Sequence, residues 1–335
     1  MKAGGHLRPL LLTAVFACAA FAADKTADRV FSFGATESEQ DVEEIATAIR
    51  SITDMPQLFV DLANRSITVH GDAAQIAAAE WLFNELDKPA NRAPVKPGAA
   101  DPAIHEYKMP GGGEDTIRVL YAPGTATPQQ FQELATATRS IVQIRRVFIY
   151  FTPRALVFRG TGGLIAMAAW VVQNLDQQPV STALEYRNPG SADDVVRILY
   201  LPHTATVQDF QEVAIGVRSI GDIRSLFAYN APRALALRGT SGQIAMAAWL
   251  SGALDQPQRD ASANNEYQMP GESEGVVRVF FLPQSLTLQG LQQAAISVRT
   301  KTGIRRMFTY NSARAVMVRG TADQIAMAER LFGEI

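Results

Sequence analysis

Side chains alternate apolar and polar through Val30-Phe31-Ser32-Phe33, the period-two pattern of a half-buried strand. The period then changes. Val42, Ile45, Ala46, Ile49 and Ile52 recur at helical spacing behind Ser38, a residue suited to an N-cap, and predict one amphipathic helix. Leu58-Phe59-Val60 and Ser66-Ile67-Thr68-Val69 read as short strands on either side of Asp61-Leu62-Ala63-Asn64-Arg65, where Asp and Asn suit a turn. Asp72 is placed to cap a last helix from Ala73 to Leu86. The predicted order is β-α-β-β-α.

That pattern returns three times. Arg159–Trp170 recurs as Arg238–Trp249 and Arg319–Arg330, and more weakly as His70–Trp81, at spacings of 89, 79 and 81 residues. The same offsets join Arg29, Arg118, Arg197 and Arg278, and then Arg50, Arg139, Arg218 and Arg299. No gap falls inside a unit, so the chain is expected to be four copies of one small module. In the second, Thr127-Pro128-Gln129-Gln130 opens a helix with a capping residue, Pro at the first position and Gln at the capping-box position. Thr161, Thr240 and Thr321 are expected to cap the last helices. Modules two to four add Glu106-Tyr107, Glu185-Tyr186 and Glu266-Tyr267 ahead of a Pro-Gly step, which predicts an extra N-terminal edge strand that module one lacks. The expected boundaries are 1–22, 28–87, 88–103, 104–176, 183–255 and 264–335. The segment 88–103 is rich in Pro and Ala and predicts an extended linker that leaves module one loosest, able to move by itself, while short linkers hold modules two to four in a row.

Composition changes the picture little: 47% hydrophobic and 19% charged residues are globular values, and a net charge of −2 gives no basic excess for nucleic acid. The first 22 residues read as an export signal, with Lys2 and Arg8 ahead of an apolar run from Leu10 and a cleavage site at Ala20-Phe21-Ala22. No later stretch is long and apolar enough to predict a membrane span. Cys18 is the single cysteine and would leave with the signal, so the expectation is an exported, cysteine-free protein of a bacterial periplasm, with a lipidated Cys18 at the outer membrane as the lesser alternative.

No catalytic, cofactor or metal motif emerges. The four histidines, His6, His70, His105 and His203, fall at unrelated positions, and Gly111-Gly112-Gly113 lacks the Lys-Ser/Thr of a phosphate loop. The acidic pairs Glu114-Asp115 and Asp193-Asp194 read as a solvated hairpin face. The polar candidates for contact with another module or a partner are the turn arginines Arg154, Arg233 and Arg314 and the strand-end arginines Arg159, Arg238 and Arg319, although a local role, holding neighbouring carboxylates or carbonyls, is the preferred reading of both sets. Trp81, Trp170 and Trp249 occupy one position of the last helix, and Arg330 replaces them in module four. They are the apolar candidates, since repeat proteins bury large side chains between inner units and present polar groups at the ends.

The run Leu58-Phe59-Val60-Asp61…Asn64-Arg65-Ser66-Ile67-Thr68-Val69-His70-Gly71-Asp72…Leu86-Asp87-Lys88-Pro89 resembles the short N-terminal repeat domain of secretins, the outer-membrane channels of type II and III secretion and type IV pilus systems. Leu175-Asp176 and Leu254-Asp255-Gln256-Pro257 repeat its end. The resemblance implies an α+β protein of four tandem βαββα modules, KH-like and ring-building, that pack on copies of themselves. A secretin would continue into a long β-rich pore domain, and this chain stops inside a helix, so it is not expected to form a channel by itself. A KH domain that binds nucleic acid would need a Gly-x-x-Gly clamp and a basic surface. The reading is a non-enzymatic periplasmic scaffold whose partners are proteins: a secretin, a pilus-assembly component, or copies of itself. No cofactor, nucleic acid or small-molecule substrate is expected. The alternative is an envelope protein that grips a peptide or glycan between modules, and a hydrolase comes third.

Overall fold

The computed structural model describes residues 26–92, 105–110, 115–177, 184–191, 193–256 and 265–335. The expected export signal with Cys18, most of the Pro/Ala-rich linker, and the Gly111-Gly112-Gly113 turn lie outside the described residues. What is described is a mixed α/β protein of eight α-helices and four small antiparallel sheets.

The first unit runs β1 (Ala27–Ser32), α1 (Glu39–Ile52), β2 (Gln57–Asp61), β3 (Ser66–Gly71) and α2 (Ala73–Leu86). The second is β4 (His105–Lys108), β5 (Asp115–Tyr121), α3 (Pro128–Val142), β6 (Arg146–Tyr150), β7 (Ala155–Thr161) and α4 (Gly162–Leu175). The third is β8 (Leu184–Arg187), β9 (Val195–Tyr200), α5 (Val207–Gly221), β10 (Ser225–Tyr229), β11 (Ala234–Gly239) and α6 (Ser241–Leu254). The fourth is β12 (Glu266–Gln268), β13 (Val276–Phe281), α7 (Leu288–Thr302), β14 (Arg306–Tyr310), β15 (Ala315–Gly320) and α8 (Ala322–Gly333). The first sheet has the order β1-β3-β2, and the others carry one more strand at the edge, as in β4-β5-β7-β6.

Local chemistry accounts for these elements. Ser38, Asp72, Thr127, Thr161, Thr240 and Thr321 each cap a helix by accepting a backbone N–H in its first turn. The Asp that follows the last helix of a unit folds back onto the loop before the first helix. Asp87 accepts from the N–H groups of Gly34 and Thr36, Asp176 from Gly124 and Thr125, and Asp255 from His203. Arg65, Arg154, Arg233 and Arg314 all have positive φ, between 43° and 52°, at the turns that join β2 to β3, β6 to β7, β10 to β11 and β14 to β15. From there Arg154 reaches the carbonyls of Thr125 and Ala126, Arg233 that of Ala205, and Arg314 that of Leu286. These carbonyls belong to each arginine's own unit, which is the local structural role rather than contact with a neighbour.

Each inner sheet is buried on both faces. In the second unit Leu156 and Phe158 enter the core under α3 and α4, while Ala155 and Val157 enter a core with Ile45, Ile49 and Ile52 of α1. The same division recurs in the third and fourth sheets, so sheets and helix pairs alternate through the molecule. Module one therefore does not stand apart: α1 packs across β6 as α3 packs on β10 and α5 on β14. Docking depends on the apolar area that the facing elements remove from water.

Candidate functional site: the faces between modules

The recurrent polar residues converge at three junctions. At the first, α1 lies on the second sheet, and Arg159 Nη1 donates to the Ile52 carbonyl at the helix C-terminus, 2.8 Å. Arg159 is itself held by Asp115 at 2.9 and 2.7 Å. At the second, Arg238 donates to the carbonyls of Ile141 and Val142 at 3.3 and 3.0 Å, and Asp194 holds it at 2.7 and 2.6 Å. At the third, Arg319 donates to Ile220 O at 3.2 Å and is held by the Glu274 carbonyl and Glu272. Carbonyls left open at a helix C-terminus carry partial negative charge, so a guanidinium there is doubly matched. Burial pushes the Arg319 guanidinium below its ordinary range, while Glu272 pulls in the opposite direction. The Arg238 hydrogen bond holds Asp194 below the usual carboxylate range. Asp115 and Asp194 are thus arginine anchors rather than the solvated acids expected of a hairpin face.

A second contact repeats on the opposite side. Glu44, Glu133 and Glu212 accept backbone N–H groups of Phe151, Asn230 and Asn311 at the next unit's turn, at 3.4, 3.4 and 2.8 Å. Asp41 also accepts from Thr152 Oγ1 at 2.5 Å. In α5 this face carries Gly216, where an added Cβ would lie 2.7 Å from the Met317 methyl. The corresponding Ala48 and Ala137 are fully buried.

The tryptophans sit beside the edge strands. Trp81 packs on Tyr107, Trp170 on Tyr186 and Trp249 on Tyr267, with ring centroids 5.6, 5.7 and 5.5 Å apart. Each pair joins the last helix of one unit to the Glu-Tyr strand of the next. Arg330, at the fourth position of this series, is exposed and donates to Ala326 O within its own helix.

A cluster that sequence reasoning missed closes the first junction. Glu85, buried in α2, meets His105 Nδ1 at 2.7 Å, Lys88 Nζ at 2.5 Å and Tyr121 OH at 3.2 Å. Its signal in the sequence was a Glu on the apolar face of a helix. Double burial of the sheets also had a signal: Ala155-Leu156-Val157-Phe158 is apolar throughout, whereas Ser66-Ile67-Thr68-Val69 alternates.

Between modules two and three lies a recess of about 300 Å³ lined by residues including Gly124, Thr125, Gln130, Asp176 and Tyr229. Burial pushes the Asp176 carboxyl up to about 6, against the N–H groups of Gly124 and Thr125, which favour its ionised form. Burial also raises the Tyr229 hydroxyl. Among the described residues no group of three or more His, Cys, Asp or Glu is placed to hold a metal, and no helix is long and apolar enough to cross a membrane.

No family model and no curated protein matches the chain. Among solved structures it is similar to Aeromonas hydrophila ExeD, at 14% identity and a TM-score of 0.16, covering 67% of this chain and 41% of that one. It is similar also to the structure of XcpQN012, at 16% identity and a TM-score of 0.23, covering 69% of this chain and all of that one. A third is the ETEC pilotin–secretin AspS–GspD complex, at 13% identity and a TM-score of 0.16, covering 67% of this chain and 38% of that one.

Proposed function

We propose that this chain is a non-enzymatic periplasmic scaffold, built from four tandem KH-like repeats of the secretin N-domain kind and serving a secretion or type IV pilus assembly through protein contacts. The observation that carries the reading is the use made of the recurrent polar residues. Arginines and carboxylates at equivalent positions of the units are engaged in fastening one unit to the next, and an active site would instead need unlike groups converging in one cleft. A row of packed α+β units offers long surfaces to a partner, whether a secretin, a pilus-assembly component or further copies of the chain. The Ala20-Phe21-Ala22 site supports the periplasmic address.

Cross-linking in intact cell envelopes, followed by mass spectrometry, tests this. Cross-links to a secretion or pilus component, or between copies, are expected. Recovery of monomer alone together with a tightly bound small molecule would favour the second reading, a protein that grips a peptide or glycan between modules. The recess beside Asp176 and Tyr229 is the observation in favour of that alternative.

A further inference from the structure

We propose that the open edge of β1 is a docking site for an extended segment of a partner protein, one that adds a strand carrying a Glu opposite Arg29. Three precedents lie inside the molecule. β4, β8 and β12 each pair antiparallel with the strand equivalent to β1, in one register that sets Glu106 opposite Arg118, Glu185 opposite Arg197 and Glu266 opposite Arg278. The charges meet at 3.7, 3.5 and 3.3 Å. In the first sheet the order is β1-β3-β2, so among the described residues no strand covers β1.

The backbone of β1 is set for pairing. Phe33 N–H donates inward to Arg65 O, so the N–H groups one residue out of phase, including that of Val30, face the open edge. The equivalent Val279 N–H donates 2.9 Å across the covered edge to Asn265 O. The charge is in place as well. Arg29 is 55% exposed and bonds to Glu80 on α2 at 3.3 Å. A helix carboxylate does not preclude a strand carboxylate, because Arg278 bonds to Glu329 on α8 and to Glu266 on its edge strand together.

The face of the same sheet argues against a helix as the occupant. Where Arg159 clasps a helix end, module one has His70, paired with Asp28 at 2.7 Å, and Asp61 stands where Tyr150 is buried. The features that receive a helix are gone, while the arginine that receives a strand remains. Strand addition to an exposed edge binds through main-chain hydrogen bonds and gains specificity from alternate side chains. Beside Glu, the incoming strand would set an apolar residue next to Val30, as Leu184 precedes Glu185 in β8. The proposal rests on the protein-contact reading and not on the identity of the assembly.

The probe is a fluorescent peptide of residues 183–190, which contains β8, titrated against the purified exported protein at low salt. Saturable binding is expected, with the Val30 amide gaining protection from hydrogen exchange. Reversing the peptide's charge at Glu185→Arg should weaken binding at least tenfold, equivalent to about 1.4 kcal/mol, and Arg29→Glu in the protein should restore it. Val30→Pro should abolish binding at unchanged thermal stability, since its N–H serves only the open edge. Absence of binding would overturn the proposal. So would binding indifferent to both Arg29→Glu and Val30→Pro, or a Val30 amide already protected without peptide, which would mean that a preceding segment of the chain or a second copy covers the edge. Any of these leaves the envelope cross-linking result standing, so the two readings fail separately.

Discussion

The first and second sheets share a backbone plan and differ in what covers them. Phe148 lies under α1, while its counterpart Phe59 is 68% exposed. Around these two, Ile117, Tyr150 and Val157 of the covered face correspond to Asp28, Asp61 and Thr68 of the open one. The far end of the stack shows the converse. Ile52, Ile141 and Ile220 are buried at the C-termini of α1, α3 and α5, whereas the corresponding Lys301 of α7 is exposed. Gln293 likewise replaces the junction Glu, and Arg330 the Trp. A handful of side chains thus decides whether a face stacks or meets water, and the fold of the unit is indifferent to the choice, as in other repeat architectures.

The largest test of this contrast is Tyr150→Ala against Phe59→Ala. Truncating the fully buried Tyr150 should cost about 3–5 kcal/mol in urea unfolding, as core aromatic truncations do, and Phe59→Ala less than about 1 kcal/mol. Equal costs would mean that the first face is covered in solution. Next is Gly216→Leu, which forces a side chain into Met317 and should lose about 1–3 kcal/mol by overpacking. Ser297→Leu, at the same position of the open α7, should stay within about 0.5 kcal/mol.

A smaller effect separates the half-buried Asp176 from exposed carboxylates. Its folded value of about 6 lies above the unfolded 3.8, so the folded state holds the proton more tightly. Stability from this group is fully present below pH 3.8 and is lost as pH rises through about 6. After allowance for partial exposure the loss is on the order of 1–2 kcal/mol. Asp194, lowered by Arg238, acts in the opposite sense, its contribution fading as pH falls. Subtracting the urea midpoints of Asp176→Asn from those of the wild type at pH values across this range isolates the first term, and a flat difference would refute it. The smallest effect belongs to Trp170 and Tyr186. A double-mutant cycle should return a coupling of about 0.5–1.5 kcal/mol, and Arg330→Ala, lacking a partner ring, should change stability by less than about 0.5 kcal/mol.

Much of the local structure was legible in the linear pattern. Caps such as Thr127 and Asp72, the edge strands at Glu106, Glu185 and Glu266, and the switch from period two to helical period all depend on neighbours a few residues away, and such contacts are written into spacing. The four-fold recurrence, and Arg330 as the odd member of the Trp series, came from the same source. Which unit each side chain touches was not legible. Arg154 and Arg159 are five residues apart and both recur, yet one turns into its own unit and the other crosses to α1, because backbone hand and strand parity aim them to opposite sides. The Pro-rich linker suggested a loose first unit, but tightness is a property of the faces that meet. Those faces, and with them the pairings Arg159 to Ile52, Trp81 to Tyr107 and Glu85 to His105, come together only when residues far apart in the chain close around a shared core, an arrangement that local propensity does not encode.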